Sequence, residues 1–270
     1  MSEPSLRRPS LYACARRLWR FRGLLALWTE RELRVRYKQT FLGAAWAVIQ
    51  PTALMVVFTL ISSYLQRFPT QGAPFPLFYY AALLPWTFFT TSLAFGSTSL
   101  INNLDLVTKA AFPREILPLA SIGAALFDFA VAATVFVALQ VWYRQPPTME
   151  LFWLPLLILI QVAIAAGLGL LTSAIVVWYR DTRFVVPVGL QLLLFLTPIL
   201  YPLEVVPERI RAWVMLNPIA CVTETYRRVT LYGESPDPTH LGTAILSALV
   251  LAGCGYWVFK RLEPTFADRI

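Results

Sequence analysis

Six stretches of this sequence, residues 41 to 65, 76 to 101, 116 to 142, 151 to 178, 184 to 201 and 241 to 259, are apolar at close to the length that a helix needs to cross a bilayer. That length is about 20 residues, set by a rise of about 1.5 Å per residue and a hydrocarbon core about 30 Å thick. The runs are apolar all round, not along one stripe, which predicts helices surrounded by lipid or by one another. Pro51, Pro85, Pro187 and Pro198 lie inside or near their ends. A membrane helix tolerates such prolines where neighbours satisfy the freed carbonyls, so they predict kinks. With 57% hydrophobic residues, 14% charged residues and a mean hydropathy of +0.60, a soluble domain and a disordered chain are both excluded. The expected fold is an all-α integral membrane protein with six transmembrane helices.

The charged minority sets the orientation. Most of the 23 Lys and Arg residues fall at the two ends of the chain and in the even-numbered loops, including Arg31, Arg34, Arg36, Lys38, Lys109, Arg114, Arg180, Arg183, Lys260 and Arg261. By the excess of cations on cytoplasmic loops, both termini are expected in the cytoplasm. The net charge of +8 is read as topology, because no zinc-finger spacing, RNP-like motif or long basic run points to nucleic acid. Cys14, Cys221 and Cys254 are far apart, with no CxxC, so neither a disulfide framework nor a zinc site is expected. The first apolar run begins only at Phe41 and is too long for a signal peptide, which predicts a retained N-terminus.

Three segments do not read as spans. Residues 11 to 28 place Leu11, Leu18, Phe21, Leu25 and Trp28 at helical spacing among arginines, which predicts an amphipathic helix in the membrane interface, or else a basic flank that only sets topology. Arg34, Arg36 and Lys38 follow where they would attract anionic headgroups or a lipid-linked phosphate. Residues 102 to 115 hold Asn103, Asp105, Lys109, Arg114 and Glu115 and read as a short cytoplasmic helix restarting at a proline, or as an ordinary turn. Residues 203 to 233 carry Glu208, Arg211, Glu224 and Arg227, too polar to cross lipid, beside Trp213 and Tyr226, too apolar for a free loop. Pro207 and Asn217-Pro218 divide this segment into two helices too short to span, either re-entrant at membrane depth or a peripheral hairpin.

Catalytic chemistry finds little footing. No GxxxxGK[ST] phosphate loop occurs, so nucleotide hydrolysis by this chain is not expected. Gly167-x-Gly169 and Gly253-x-Gly255 sit inside apolar spans, where glycine permits close helix approach. The lone histidine, His240, reads as a solvated interfacial imidazole. Asp128 is the only acid well inside a span, either a functional intramembrane carboxylate or one satisfied by a neighbouring Ser, Thr or Arg. A membrane-embedded glycosyl- or acyltransferase using Asp128 and His240 lacks a further buried polar group to complete its site, and a secondary transporter lacks an evident inverted repeat.

Several landmarks in order carry a resemblance. Arg34-Val-Arg-Tyr-Lys-Gln-Thr-Phe-Leu-Gly43 with Trp46 and Gln50-Pro51, Leu84-Pro-Trp-Thr-Phe-Phe89, Lys109 with Phe112-Pro-Arg-Glu-Ile-Leu-Pro118, Trp178-Tyr-Arg-Asp-Thr-Arg183, Thr197-Pro-Ile-Leu-Tyr-Pro202, Asn217-Pro218 with Glu224 and Tyr226-Arg227, and Phe266-Ala-Asp268 span nearly the whole chain. Together they resemble the permeases of bacterial ABC transporters that export polysaccharides such as O-antigen, capsule and teichoic acid. The resemblance implies a basic N-terminus with an interface helix over 1–40, a six-span permease domain over 41–259 and a cytoplasmic tail over 260–270. It implies a homodimer in the bacterial inner membrane with two copies of a separate ATPase subunit, which alone would bind ATP and Mg. No cofactor in this chain and no nucleic-acid partner are expected. Asn103, Asp105, Lys109, Arg114 and Glu115 would belong to a coupling helix, with Arg180, Asp181 and Arg183 as further ATPase contacts. Glu208, Arg211, Trp213, Asn217, Pro218, Glu224, Tyr226 and Arg227 would form the outer gate. Trp46, Trp86, Phe88, Phe89 and Tyr201 are the candidate channel-lining aromatics, and Arg34, Arg36 and Lys38 would meet the headgroup of a polyprenyl-pyrophosphate-linked glycan. An ABC permease for drugs or other lipids shares this architecture and is the alternative.

Overall fold

The computed structural model of the chain describes residues 20–64, 70–109 and 112–269, and among these it contains helices and no strand. The helices are α1 Arg22–Tyr37, α2 Trp46–Tyr64, α3 Phe75–Thr98, α4 Leu104–Lys109, α5 Ile116–Trp142, α6 Leu154–Trp178, α7 Thr182–Leu196, α8 Glu208–Val214, α9 Pro218–Arg227, α10 Pro238–Leu262 and α11 Phe266–Arg269. Four helical stretches among the described residues are long and apolar enough to cross a membrane: Gly43–Tyr64, Ile116–Trp142, Met149–Trp178 and Pro238–Thr265. Helix α3 matches them in length at 24 residues but carries Tyr79, Tyr80, Thr87, Thr90, Thr91 and Ser92. Helix α7 has 15 residues and is shorter than the run of 184 to 201 predicted. It stops because Thr197 takes an extended ψ of 136°, the conformation forced on the residue before Pro198.

The polar character of α3 follows from its place. Every residue from Leu77 to Trp86 is buried, so no side of this helix faces outward over those turns. Helices α5, α6 and α9 pack around it. Inside the packing both tyrosine hydroxyls find partners, while that of Ser92 is buried without one: Tyr80 donates to the Ala132 carbonyl at 3.1 Å, and Tyr79 and Ser62 share a short hydrogen bond. Helices α2 and α7 lie outside this centre. Only Pro51, Met55 and Ser62 are buried on α2, and only Leu190 on α7.

Helices α6 and α10 approach along glycines, as the sequence predicts. A Cβ on Gly255 would strike the Gly167 carbonyl, and one on Gly167 would strike the backbone of Leu251 and Ala252. Gly169 instead faces the Ile122 side chain, and Gly253 has nothing near it.

Of the interface helix predicted over 11 to 28, residues 11 to 19 lie outside the described residues. The described helix runs on to Tyr37, so Arg31, Arg34 and Arg36 are inside it rather than beyond its end. It buries none of its residues fully. Trp28 stacks on Phe112 at 6.3 Å, and Arg31 donates to Asn103 Oδ1 at 3.0 Å, which places α1 beside the 101–115 segment. Arg114 of that segment donates to the Glu263 carbonyl at 2.5 Å. The first helix and the C-terminal tail therefore lie at one end of the bundle, referred to below as the basic end. Gly43, with φ of 52°, turns the chain from α1 into α2 in a conformation that costs other residues.

Candidate functional site

At the basic end, α1, α2, α3 and α5 enclose a cavity of about 230 Å³. Arg36 and Asp128, 92 residues apart in sequence, meet at its edge as an ion pair whose side chains are 10% and 14% exposed. Tyr37 donates its hydroxyl to the second Asp128 oxygen at 2.5 Å, and the Arg36 guanidinium lies 4.0 Å from the centre of the Phe95 ring. The acid of the third apolar run thus has a cation and a hydroxyl as partners, the satisfied alternative of the two that its position left open. Burial, and next the bond to Asp128, push the Tyr37 phenol well above its ordinary range, so it stays a proton donor.

The three cations predicted to act together separate. Arg34 is exposed and pairs with Glu30 at 2.6 Å, Lys38 is exposed, and Arg36 turns inward to Asp128. The five aromatics separate as well. Trp46 and Phe88 line the cavity. Trp86 and Phe89, 6.0 Å apart, are buried in the apolar core away from it. Tyr201 lies at the opposite end, donating to the Phe195 carbonyl at 3.2 Å.

Of the segment 102 to 115, residues 110 and 111 lie outside the described residues; the rest comprises one turn of 3-10 helix over Ile101–Asn103, the six-residue α4, and a turn from Pro113 into α5. Val107 on α4 is buried in a second apolar cluster with Leu100, Phe259 and Phe266, so the tail packs directly beneath this helix. Asn103 donates to the Ser99 carbonyl at 2.9 Å, and Asp105 stands exposed in the first turn of α4. The side chain of Lys109 lies outside the described residues. Glu115 is buried and pairs with Lys260 at 2.7 Å, which also binds Glu263 at 2.8 Å. Arg114 and Glu115 thus hold the tail in place. Arg180 and Arg183 line a cavity of about 230 Å³ with Ile101, Asn102, Leu104 and Arg269, while Asp181 is exposed at the start of α7. The predicted arginine turn and the predicted short helix therefore adjoin. Lys260 and Arg269 were read only as cations of the cytoplasmic side; the pairing of Lys260 with Glu115 and Glu263 and the place of Arg269 in the cavity wall were not, although Lys260 and Glu263 at i, i+3 on a helix end were a usable signal.

At the opposite end, the segment 203 to 233 divides: α8 buries none of its residues, whereas α9 is packed into the bundle. Asn217 caps α9, accepting from the Ile219 N–H at 3.0 Å and donating to the Thr197 hydroxyl at 2.9 Å, and Pro218 occupies the first helical turn. Every residue from Ile219 to Arg227 is buried. Arg227, 1% exposed, donates to the carbonyls of Phe78 at 3.3 Å, Pro198 at 2.5 Å and Ile199 at 2.7 Å, and lies 3.7 Å from Glu224. Its guanidinium also stacks 3.8 Å from the centre of the Phe78 ring. Tyr226 is buried beside it. Arg211 donates to the Val206 and Glu204 carbonyls at 3.2 and 3.3 Å, whereas Glu208 and Trp213 are exposed.

This arrangement coincides with a similarity to known proteins along nearly the whole chain. The family described as ABC-2 type transporter matches residues 24–231. The chain is 32% identical over 258 residues to the O-antigen export system permease protein RfbA of Myxococcus xanthus, covering 94% of this chain and 98% of that protein. It is 27% identical over 246 residues to the RfbA of Klebsiella pneumoniae, covering 91% and 94%. It is also 23% identical over 238 residues to the polysialic acid transport protein KpsM of Escherichia coli, covering 86% and 91%. The family match runs through most of the basic-end helix, the central helix and the buried arginine clamp, and the chain belongs to the ABC-2 type transporter family.

Proposed function

We propose that this chain is the channel-forming subunit of an ATP-driven exporter that moves a lipid-linked, O-antigen-like polysaccharide across the bacterial inner membrane. The observation that carries the reading is the end-to-end similarity to polysaccharide export permeases. Two copies assemble through helices that leave large apolar side chains uncovered, such as Val56, Val57 and Leu60 on α2 and Phe184, Val188 and Leu192 on α7. Two ATP-binding-cassette subunits bind ATP and Mg and dock at the basic end, where α4, Arg180 and Arg183 adjoin. Six crossings, with α3 central and α7 the shortest, keep both termini in the cytoplasm, in line with the basic excess at the end they share. The cargo headgroup meets the exposed Arg34 and Lys38, and α8 and α9 close the outer end until the ATPase strokes move the bundle.

In a strain lacking the chain, lipid-linked glycan is expected to accumulate inside the cell and vanish from its surface, with both restored by the plasmid-borne gene. Normal surface glycan in that strain would overturn the reading. Reversing charge in an Arg180→Glu and Arg183→Glu double variant is expected to cut co-purification of the ATPase by about tenfold, which corresponds to roughly 1.4 kcal/mol. Unchanged co-purification would remove the arginine turn from the docking surface.

A further inference from the structure

Arg36 was expected to face a lipid headgroup, yet it is paired with Asp128 at the wall of a cavity of mixed polar and apolar lining, and the pairing accounts for only part of its hydrogen-bonding capacity. Nη1 reaches the carboxylate, while Nε and Nη2 are buried without a partner. Those two nitrogens are closed off from solvent, so the polar groups that an oxygen-bearing ligand can meet are those of the open wall, Gln50, Thr87 and Thr91 among them. We propose that this cavity is a sugar-binding subsite that takes one ring of the glycan cargo; the assignment rests on the polysaccharide reading above and names what the site recognises.

The wall chemistry selects the ligand class. Thr87 and Thr91 stand one turn apart on α3, Gln50 faces them from α2, and Asp128 and Arg36 complete the lining. A hydroxyl both donates and accepts, and this set supplies acceptors, donors and groups that do either, as adjacent sugar hydroxyls require. Trp46 and Phe95 add aromatic surface for the apolar face of a ring. The volume of about 230 Å³ lies below the range of about 300–1,000 Å³ typical of drug-sized ligands, which fits a single ring.

A pyrophosphate fits poorly. Asp128 cancels the Arg36 charge inside the cavity, and a polyanion there would meet a carboxylate with no surplus cation. Arg34 and Lys38 stand outside, exposed, where a headgroup can reach them. A division of labour follows: phosphate held at the membrane surface, first sugar drawn inward.

The test uses the assembled permease and ATPase in lipid nanodiscs, probed by saturation-transfer NMR with a panel of methyl hexosides and methyl deoxyhexosides, and separately by phosphorus line broadening with inorganic pyrophosphate. At least one glycoside is expected to receive saturation at its ring protons. A Gln50→Ala and Thr91→Val double variant, which leaves the Arg36–Asp128 pair intact, is expected to weaken that binding about tenfold. Thr90→Val, whose hydroxyl bonds to its own helix at the Trp86 carbonyl, is expected to leave it unchanged. Binding of no glycoside, binding indifferent to the double variant, or pyrophosphate broadening that Arg36→Gln abolishes would each overturn the subsite. The deletion strain separates the two readings: surface glycan that survives deletion defeats the exporter reading, whereas dependent export by a protein that binds no glycoside defeats the subsite alone.

Discussion

Replacing Arg227 with leucine is expected to lower the midpoint of thermal unfolding of the detergent-purified protein by on the order of 10 °C, from a loss of about 3–5 kcal/mol. The guanidinium satisfies three backbone carbonyls at once. Those of Pro198 and Ile199 lie just beyond α7, where the chain has left helical geometry and the carbonyls have no helical partner of their own. The third belongs to Phe78 on the central helix. Leucine leaves the Pro198 and Ile199 carbonyls buried and without this donor, and removes a second partner from the Phe78 carbonyl inside α3, while Glu224 can lose its charge by taking a proton, so the carbonyls dominate the cost. Lysine keeps the charge but lacks the planar fork that reaches three acceptors, and an intermediate loss is expected. Unfolding midpoints of Arg227→Leu and of the unaltered protein that agree within error would show that α9 is held by its apolar contacts alone.

The clamp also shows where sequence reasoning stops. The third apolar run was legible to its boundaries, 116 to 142, because charges or turn residues end it on both sides and its interior is apolar but for Asp128 and a few uncharged polar residues. That the fourth and last runs allow close helix approach was legible from their glycines, but not that they meet each other, and Gly253, with nothing near it, shows that the residue type alone does not mark a contact. The break in the fifth was legible in Thr197-Pro198, yet the run was carried past it to 201 on hydrophobicity alone. Helix α1 was displaced for the opposite reason. It buries no residue fully, the apolar spacing through Leu25 and Trp28 is met by Arg31 and Glu32 at the next turn, and its arginines look like a flank. The Arg36–Asp128 pair joins residues 92 apart, and nothing local on either side encodes the partner. Arg227 was singled out by its polarity in an apolar segment, but its acceptors are backbone atoms freed by structure elsewhere, and a sequence does not display those. Residue types pointed to the places where chemistry concentrates, while which group meets which was decided by the packing of α3 against its neighbours.

Substituting alanine for Gly255 is expected to abolish accumulation of folded protein, an effect out of proportion to the addition of one methyl group. The new Cβ would fall on the Gly167 carbonyl, and a backbone atom inside a helix has no rotamer to escape into. Helices α6 and α10 would have to separate along a shared seam. Membrane helices associate through close van der Waals contact without a hydrophobic drive between them, so separation forfeits much of what joins them. Overpacking of about one methyl commonly costs about 1–3 kcal/mol where side chains can yield, and a backbone obstacle places Gly255→Ala at or above the top of that range. Gly167→Ala is expected to fail in the same way, since its Cβ would meet the Leu251 carbonyl and the Ala252 nitrogen. Gly253, two residues away on the same helix, supplies the control. Nothing lies near its Cβ position, and alanine there removes backbone freedom from the unfolded chain, so Gly253→Ala is expected to be neutral or stabilising by up to about 1 kcal/mol. Fluorescence-detected size exclusion of the three variants reads the contrast directly, and equal monodisperse peaks for all three would mean that the glycine seam does not hold α6 against α10.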